Sequence, residues 1–195
     1  MNLKRITVFC GSSLGSEDVY RLQANLLGQT LAKQNIELVY GGAKIGLMGA
    51  VADGALSEGG KVIGVLPKFL RSKEIAHEGL TQLILVDSMH ERKTKMNELS
   101  DGVIALPGGF GTLEEFFEIL TWGQLGLHQK PIAILNINGF YDSLIALVQT
   151  MVDKGLLKEV NQKMLLTSDN IDELITKMRN YSAPVVGKWI NEETI

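Results

Sequence analysis

Short apolar runs alternate with longer amphipathic segments along most of the chain. The apolar runs are rich in β-branched residues and span 6–10, 36–40, 62–66, 83–86, 103–106 and 132–137. Runs of this kind are typical of strands buried on both faces of a parallel sheet. The segments between and after them predict helices at 17–34, 46–58, 88–100, 112–125, 140–154 and 169–180.

Repeated strand–helix units predict an α/β fold, with a doubly wound parallel sheet, right-handed crossovers and helices on both faces. The 195 residues contain no linker, repeat or low-complexity tract, so we expect a single domain over 1–195. The one long irregular stretch is 68–79, and loops of this length are often functional.

Charge and composition narrow the classes of partner. A net charge of −3, without a cluster of Lys and Arg, argues against a nucleic-acid partner. The single cysteine, Cys10, cannot form an internal disulfide, which favours a reducing compartment. The first residues lack a separate apolar segment of the signal-peptide type, and no apolar run approaches the ~18 residues of a membrane span. We therefore expect a cytoplasmic protein without a membrane partner.

The most informative motif is Pro-Gly-Gly-Phe-Gly-Thr-Leu-Glu-Glu at residues 107–115, between a predicted strand and a predicted helix. Its three glycines let the backbone approach a ligand closely, and the helix directs free N–H groups and its positive dipole end towards the same gap. This arrangement suits a phosphate. The alternative interpretation is a tight turn followed by an acidic first helical turn.

Two further small or glycine-rich loops follow predicted strands, at 11–13 and at 41–46. Because ligands of such folds bind at the carboxyl ends of the strands, these loops and the 107–115 motif predict a nucleotide-sized ligand, with Ser12 and Gly42 among its contacts. None of the loops is a Gly-x-Gly-x-x-Gly dinucleotide fingerprint or a Walker A phosphate loop, which argues against NAD and against ATP hydrolysis.

Arg92 and Glu115 are charged residues in apolar stripes. On the predicted helix 88–100, Arg92 falls in the arc of Met96 and Leu99, where a guanidinium must meet an anion or extend to solvent. A buried structural ion pair is the alternative. Glu115 shares a stripe with Ile119, and burial there would raise the pKa of its carboxyl group and suit it to acid–base chemistry.

The predicted helix 112–125 is apolar on nearly all sides, so it lies either deep in a core or in a subunit interface. We favour an interface and a homodimer. The apolar residues concerned are Phe116, Phe117, Ile119, Leu120, Trp122 and Leu125.

The histidines have no metal-like spacing, and the loop serines lack the elbow motif of a hydrolase. We therefore expect neither a metal site nor a serine triad.

Residues 107–115 resemble the PGGxGTxxE signature of the LONELY GUY (LOG) family of cytokinin-activating phosphoribohydrolases. Residues 89–93, Met-His-Glu-Arg-Lys, are similar to the MxxRK segment of that family. Residues 41–49 resemble its glycine loop, although Ala43 and Lys44 replace the usual Gly-Ser or Gly-Asn. The similarity runs from residue 8 to about residue 166.

The resemblance implies a Rossmann-like homodimer that removes the base from nucleoside 5′-monophosphates without a metal or cofactor. It implies Arg92 and Glu115 as the catalytic pair, and its nucleotide contacts map onto Glu74, Lys93, Gly108, Gly109, Phe110, Gly111, Thr112, Leu113, Glu114 and Thr121. Such proteins were long labelled lysine decarboxylases, but no lysine here is placed as a Schiff-base partner. The alternative function is a non-catalytic nucleotide- or cofactor-binding module, since related Rossmann-like proteins carry molybdenum cofactor or bind DNA.

Overall fold

The computed structural model describes residues 1–70 and 76–184. Their seven strands form one all-parallel sheet in the order β4-β3-β2-β1-β5-β6-β7. The strands are β1 (Arg5–Phe9), β2 (Glu37–Tyr40), β3 (Val62–Pro67), β4 (Gln82–Val86), β5 (Gly102–Ala105), β6 (Ile132–Leu135) and β7 (Leu165–Ser168).

Helices cover both faces of this sheet, which confirms the doubly wound α/β fold. The helices are α1 (Asp18–Lys33), α2 (Gly46–Ser57), α3 (Met89–Leu99), α4 (Phe110–Gln124), α5 (Asp142–Asp153), α6 (Glu159–Gln162) and α7 (Ile171–Arg179). Helices α1, α2 and α7 share one apolar layer with the sheet, whereas α3, α4 and α5 share the other.

Successive strand residues point to opposite layers. In β2, Leu38 and Tyr40 pack in the layer of α1 and α2, while Val39 packs in the layer of α3 and α4. Because helices cover both faces of the sheet, neither side of these strands faces solvent, and this explains their continuous apolar runs.

The strand order reverses beside β1. The chain moves outward from β1 to β4, then returns to place β5 on the other side of β1. Here the loops after β1 and β5 touch, with the Gly11 amide donating to the Pro107 carbonyl at 3.0 Å. Such a switch point leaves a crevice at the carboxyl ends of the strands, where ligands of open α/β sheets bind.

Three differences from the sequence prediction concern β7, the end of β6 and the start of α4; other predicted element ends move by one or two residues, and the short helix α6 was not predicted. Strand β7 was missed because this edge strand is only partly buried and ends in Thr167 and Ser168, so its sequence lacks a continuous apolar run. Strand β6 ends at Leu135 rather than 137, where the chain enters a 3-10 turn. Helix α4 begins at Phe110 rather than 112, so part of the predicted phosphate loop is the first turn of that helix.

The described helices include none that is both long and apolar enough to cross a membrane.

Candidate active site

A cavity of about 320 Å³ occupies the crevice at the switch point. The end of β1, the loop after β2, helix α3 and the first turns of α4 all contribute to its wall. Among the residues predicted as site residues, those lining it are Ser12, Arg92, Gly109, Phe110, Gly111, Thr112 and Glu115. The fold therefore brings seven of the fourteen predicted residues together around this cavity.

The N-terminus of α4 opens into this cavity without a side-chain cap. Gly109 is the N-cap residue and makes no capping hydrogen bond, whereas the Ser88 hydroxyl caps α3 by accepting from the Glu91 amide. The first amides of a helix have no partner within the helix. Those at the start of α4 are therefore placed to donate to an anion in the cavity.

The three glycines of the motif are explained by different physical constraints. A Cβ at Gly108 would collide with the Thr112 hydroxyl, so Gly108 is required by packing. A Cβ at Gly109 or Gly111 would meet no heavy atom within 4 Å, and neither residue has a positive φ. The free space beside them faces the cavity, which fits close approach of a ligand to the backbone.

Arg92 is buried, so of the two alternatives that its position in the helical arc left open, extension to solvent is wrong. Its Nε donates to the Val65 carbonyl at 3.1 Å, and one terminal nitrogen, Nη1, lies 3.9 Å from Met89 Sδ. The other, Nη2, lies so close to Gly41 that a Cβ there would collide with it. The guanidinium is thus held by the backbone on one side and faces the cavity on the other.

Glu115 faces the same cavity, with Oε1 3.7 Å from Arg92 Nη1 and side-chain exposures of 12% and 9%, respectively. Burial raises the pKa of the Glu115 carboxyl group, and the positive charge of Arg92 opposes that rise. A carboxylate whose pKa is moved towards neutrality is suited to proton transfer. The two residues therefore form a buried ion pair on the cavity wall, in which Glu115 is the group that can exchange a proton.

Lys93 points away from the cavity and is buried in ion pairs. Its Nζ lies 2.7 Å from Glu114 Oε1 and 2.8 Å from Glu118 Oε2. Although burial lowers the pKa of Lys93, its contacts with the Glu114 and Glu118 carboxylates together outweigh this effect and the pKa is raised. In this structure, Lys93 and Glu114 bind one another instead of lining the cavity.

Three other predicted contacts lie off the cavity wall. Gly42 has a φ of 82° and accepts from the His77 amide, while its neighbour Gly41 lines the cavity. Leu113 packs in the apolar layer of α4, and Thr121 is exposed with its hydroxyl donating to the Phe117 carbonyl. Glu74 lies outside the described residues.

Sequence reasoning missed several lining residues, namely Cys10, Met48 and Met89, and in the loop after β2 it named Gly42 rather than Gly41 as the contact. Cys10 directly precedes the loop after β1, a position that could have marked it. Burial and the nearby Glu115 carboxylate raise the pKa of its thiol, so Cys10 is a poor nucleophile.

A second cavity of about 310 Å³ adjoins the first, sharing Gly11, Ser12 and Gly109 with it. Tyr20 and Phe140 are among its lining residues. Within residues 1–70 and 76–184, no group of three or more His, Cys, Asp or Glu side chains is arranged to hold a metal ion.

Residues 48–178 match the protein family described as "Possible lysine decarboxylase". The chain is 44% identical over 178 residues to a cytokinin riboside 5′-monophosphate phosphoribohydrolase of Arabidopsis thaliana, an alignment that covers 91% of this chain and 84% of that protein. It is 42% identical over 179 residues to a probable enzyme of the same name from Oryza sativa subsp. japonica, covering 92% and 73% of the two chains.

Solved structures with the same fold are more distant in sequence. A molybdenum cofactor binding protein from Rippkaea orientalis superposes with a TM-score of 0.68 at 23% identity, over 92% of this chain and 98% of that one. DNA processing protein A from Streptococcus pneumoniae superposes with a TM-score of 0.59 at 15% identity, over 89% and 61% of the two chains. At these identities the likeness extends to the fold alone.

Proposed function

Because this chain belongs to the LONELY GUY (LOG) family of phosphoribohydrolases, we propose that it hydrolyses the N-glycosidic bond of adenosine 5′-monophosphates. The substrates are N6-modified nucleotides of the cytokinin type and AMP itself, and the products are the free base and ribose 5-phosphate. The observation that carries the proposal is the buried Arg92–Glu115 pair beside the uncapped N-terminus of α4.

The phosphate binds at the start of α4 in this proposal. The amides of the first turn and the Thr112 hydroxyl donate to its oxygens, while Gly109 and Gly111 leave room for it. Ser12, on the neighbouring loop, lines the same cavity. Binding energy from this remote group orients the ribose and lowers the barrier of the chemical step.

Glu115 is the general base. As the bond between C1′ and the base nitrogen breaks, its electron pair leaves with the base and positive charge develops on the ribose. Water adds to C1′, and its proton passes to the Glu115 carboxylate, which also stabilises the developing charge. The departing base acquires one proton, so that base and ribose 5-phosphate together account for nucleotide and water.

Arg92 contributes positive charge beside Glu115 on the cavity wall. Its Nε is occupied by the Val65 carbonyl, whereas its terminal nitrogens are directed at the cavity and at Glu115. These nitrogens can donate to the ribose phosphate or to the departing base. The charge of Arg92 also keeps a larger fraction of Glu115 ionised, because it opposes the burial that raises the Glu115 pKa.

Decarboxylation of lysine, the reaction in the family description, fits these residues poorly. A Schiff-base lysine needs a depressed pKa, so that its amine is unprotonated. Lys93, beside Arg92, has a raised pKa and is held by two carboxylates. The same residues disfavour a purely non-catalytic binding module, since such a module has no use for a buried carboxylate with a raised pKa.

We also propose a cytoplasmic homodimer without a nucleic-acid or membrane partner. Helix α4 buries Phe116 and Ile119 against the sheet but leaves Phe117, Leu120 and Trp122 only partly covered. Pairing of two such helices across a twofold axis would bury that remaining surface. Thr121 lies on the exposed side of α4, where it would reach the partner's site rather than its own.

The direct test incubates the purified protein with AMP and, separately, with isopentenyladenosine monophosphate, and measures released base by chromatography. We expect free base and ribose 5-phosphate in equal amounts. Binding of either nucleotide without release of base would instead support the non-catalytic module.

A further inference from the structure

A buried ion-pair cluster joins the two helices that carry the catalytic pair. The cluster, here called the Lys93 bridge, consists of Lys93 on α3 with Glu114 and Glu118 on α4. Glu118 is not part of the 107–115 motif. Its side chain is 21% exposed and that of Lys93 11%, whereas Glu114 is 57% exposed. The Lys93–Glu118 contact is therefore the interior half of the bridge.

Glu118 depends on Lys93 more than a surface carboxylate would. Its Oε2 is buried and has no well-aligned hydrogen-bond donor among the described residues, although Lys93 Nζ approaches it to 2.8 Å. Loss of one partner of a buried ion pair leaves an uncompensated charge, which is strongly unfavourable. The bridge therefore resists separation of α3 from α4 at this point.

The catalytic pair itself makes a longer contact than the Lys93 bridge. Arg92 Nη1 and Glu115 Oε1 are 3.7 Å apart, beyond the range of a good hydrogen bond. Arg92 is anchored to the backbone of β3 through Val65 instead. Their mutual contact alone is therefore a weak restraint on the distance between them.

The Lys93 bridge lies beside this pair on both helices. Lys93 directly follows Arg92 in the chain. Glu118 follows Glu115 by three residues, so the two carboxylates lie about one turn apart on the same side of α4. Any tilt or translation of α4 that broke the bridge would also change the separation of Arg92 and Glu115.

We propose that Glu118 is a positioning residue for the hydrolysis: paired with Lys93, it fixes α4 against α3 and so holds Glu115 at its working distance from Arg92. This inference rests on the proposed function, and it assigns Lys93 to the catalytic geometry rather than to direct contact with the nucleotide.

The bridge also contributes to the electrostatic environment of Glu115, after burial and Arg92. The charged and titratable groups near it are Arg92 and Lys93 on α3, Glu114 and Glu118 on α4, and Cys10 at the end of β1. Lys93 lowers the pKa of Glu115, while Glu118 raises it. Removing either bridge residue therefore moves the pKa of the base in a known direction.

The test compares Glu118→Gln with the matched control Glu98→Gln, which removes a carboxylate from an exposed ion pair with Lys95 on α3. Because small misplacements of a catalytic group cost up to roughly 10²-fold in rate, we expect Glu118→Gln to lower kcat about tenfold with little change in the KM for AMP. The acid limb of its kcat–pH profile should move to lower pH. The control should match the unmodified protein in all three quantities.

Lys93→Met supplies the second arm. We expect a similar loss of kcat, with the acid limb moved to higher pH, and no further loss in the double variant with Glu118→Gln, since the two residues act as one unit. An increase in KM for Lys93→Met with normal turnover of Glu118→Gln would overturn the proposal, because it would place Lys93 on the substrate. So would an unmoved pH profile.

A folding failure of Glu118→Gln and a failure of the proposed function must be distinguished from a failure of the positioning role. If Glu118→Gln fails to fold, Glu118→Asp retains the charge but shortens its reach, and it should lower kcat while keeping the original acid limb. A normal kcat for that variant would contradict the positioning role. Absence of base release by the unmodified protein in the same assay would instead contradict the proposed function itself.

Discussion

Replacement of Glu115 by glutamine separates catalysis from folding. The substitution keeps the size and shape of the side chain and removes only its ability to accept a proton. If Glu115 is the general base, turnover of AMP should fall by roughly 10²–10⁴. At 1.36 kcal/mol per tenfold change in rate, this corresponds to about 3–5 kcal/mol of lost transition-state stabilisation. Nucleotide binding should survive, because the phosphate site at the start of α4 is untouched.

The same substitution should not destabilise the fold. Burial raises the pKa of Glu115 above its ordinary value of 4.5 even though Arg92 stands beside it. A carboxyl group whose pKa is raised on folding contributes stability when protonated, and this contribution is lost as the pH rises through the folded-state pKa. At neutral pH the ionised side chain is thus a net cost, and Glu115→Gln should melt at the same temperature or higher.

Two measurements together test the catalytic role of Glu115 and its effect on stability. Release of base from AMP is followed by chromatography, and thermal unfolding by circular dichroism, with the exposed Glu98→Gln as the matched substitution. Near-normal turnover of Glu115→Gln would refute the assignment of the base. A large drop in melting temperature would refute the electrostatic argument, since it would mean that the pair with Arg92 stabilises the fold at neutral pH.

Five further expectations follow from the structure of the site and of helix α4. Activity should fall as the pH drops through the raised pKa of Glu115, so an acid limb below the ordinary carboxyl value of 4.5 would contradict its role. Gly109→Val should abolish AMP binding, measured by calorimetry, without lowering the melting temperature, because a side chain at that position meets only free space. Adenosine, which lacks the phosphate, should be a poor substrate, and equal turnover of adenosine and AMP would exclude the phosphate site. Gly41→Ala should reduce turnover while the protein stays folded, since its Cβ would collide with Arg92 Nη2; unchanged kinetics would place that guanidinium outside the reaction. Light scattering at micromolar concentration should give a dimer, and a fully active monomer of 21.3 kDa would remove both the interface and the shared-site proposal.

Several features were predictable from local sequence because their cause is local. Strands buried on both faces must be apolar throughout, so six of the seven strands were recognisable as runs. The periodicity of a helix assigns each residue to a face, and this alone predicted that Arg92 lies in the apolar arc of its helix, where the structure buries it. The glycine-rich motif at 107–115 predicted the uncapped N-terminus of α4, because glycines allow a ligand to approach the backbone closely.

Other features depend on contacts between distant segments, and only the tertiary structure decided them. Strand β7 is defined by pairing with β6 rather than by its own partly exposed sequence. The glycine that faces Arg92 is Gly41 and not Gly42, because the turn after β2 directs one of them to the cavity and the other to the loop before β4.

Lys93 illustrates the limit most clearly. In the sequence, only the motif resemblance assigned Lys93 a role, as a contact of the nucleotide. The partner that occupies it, Glu118, stands 25 positions further along the chain on another helix. Helical periodicity reports the face on which a charge lies, but the identity of the opposite charge is set by how α3 and α4 pack side by side on the sheet.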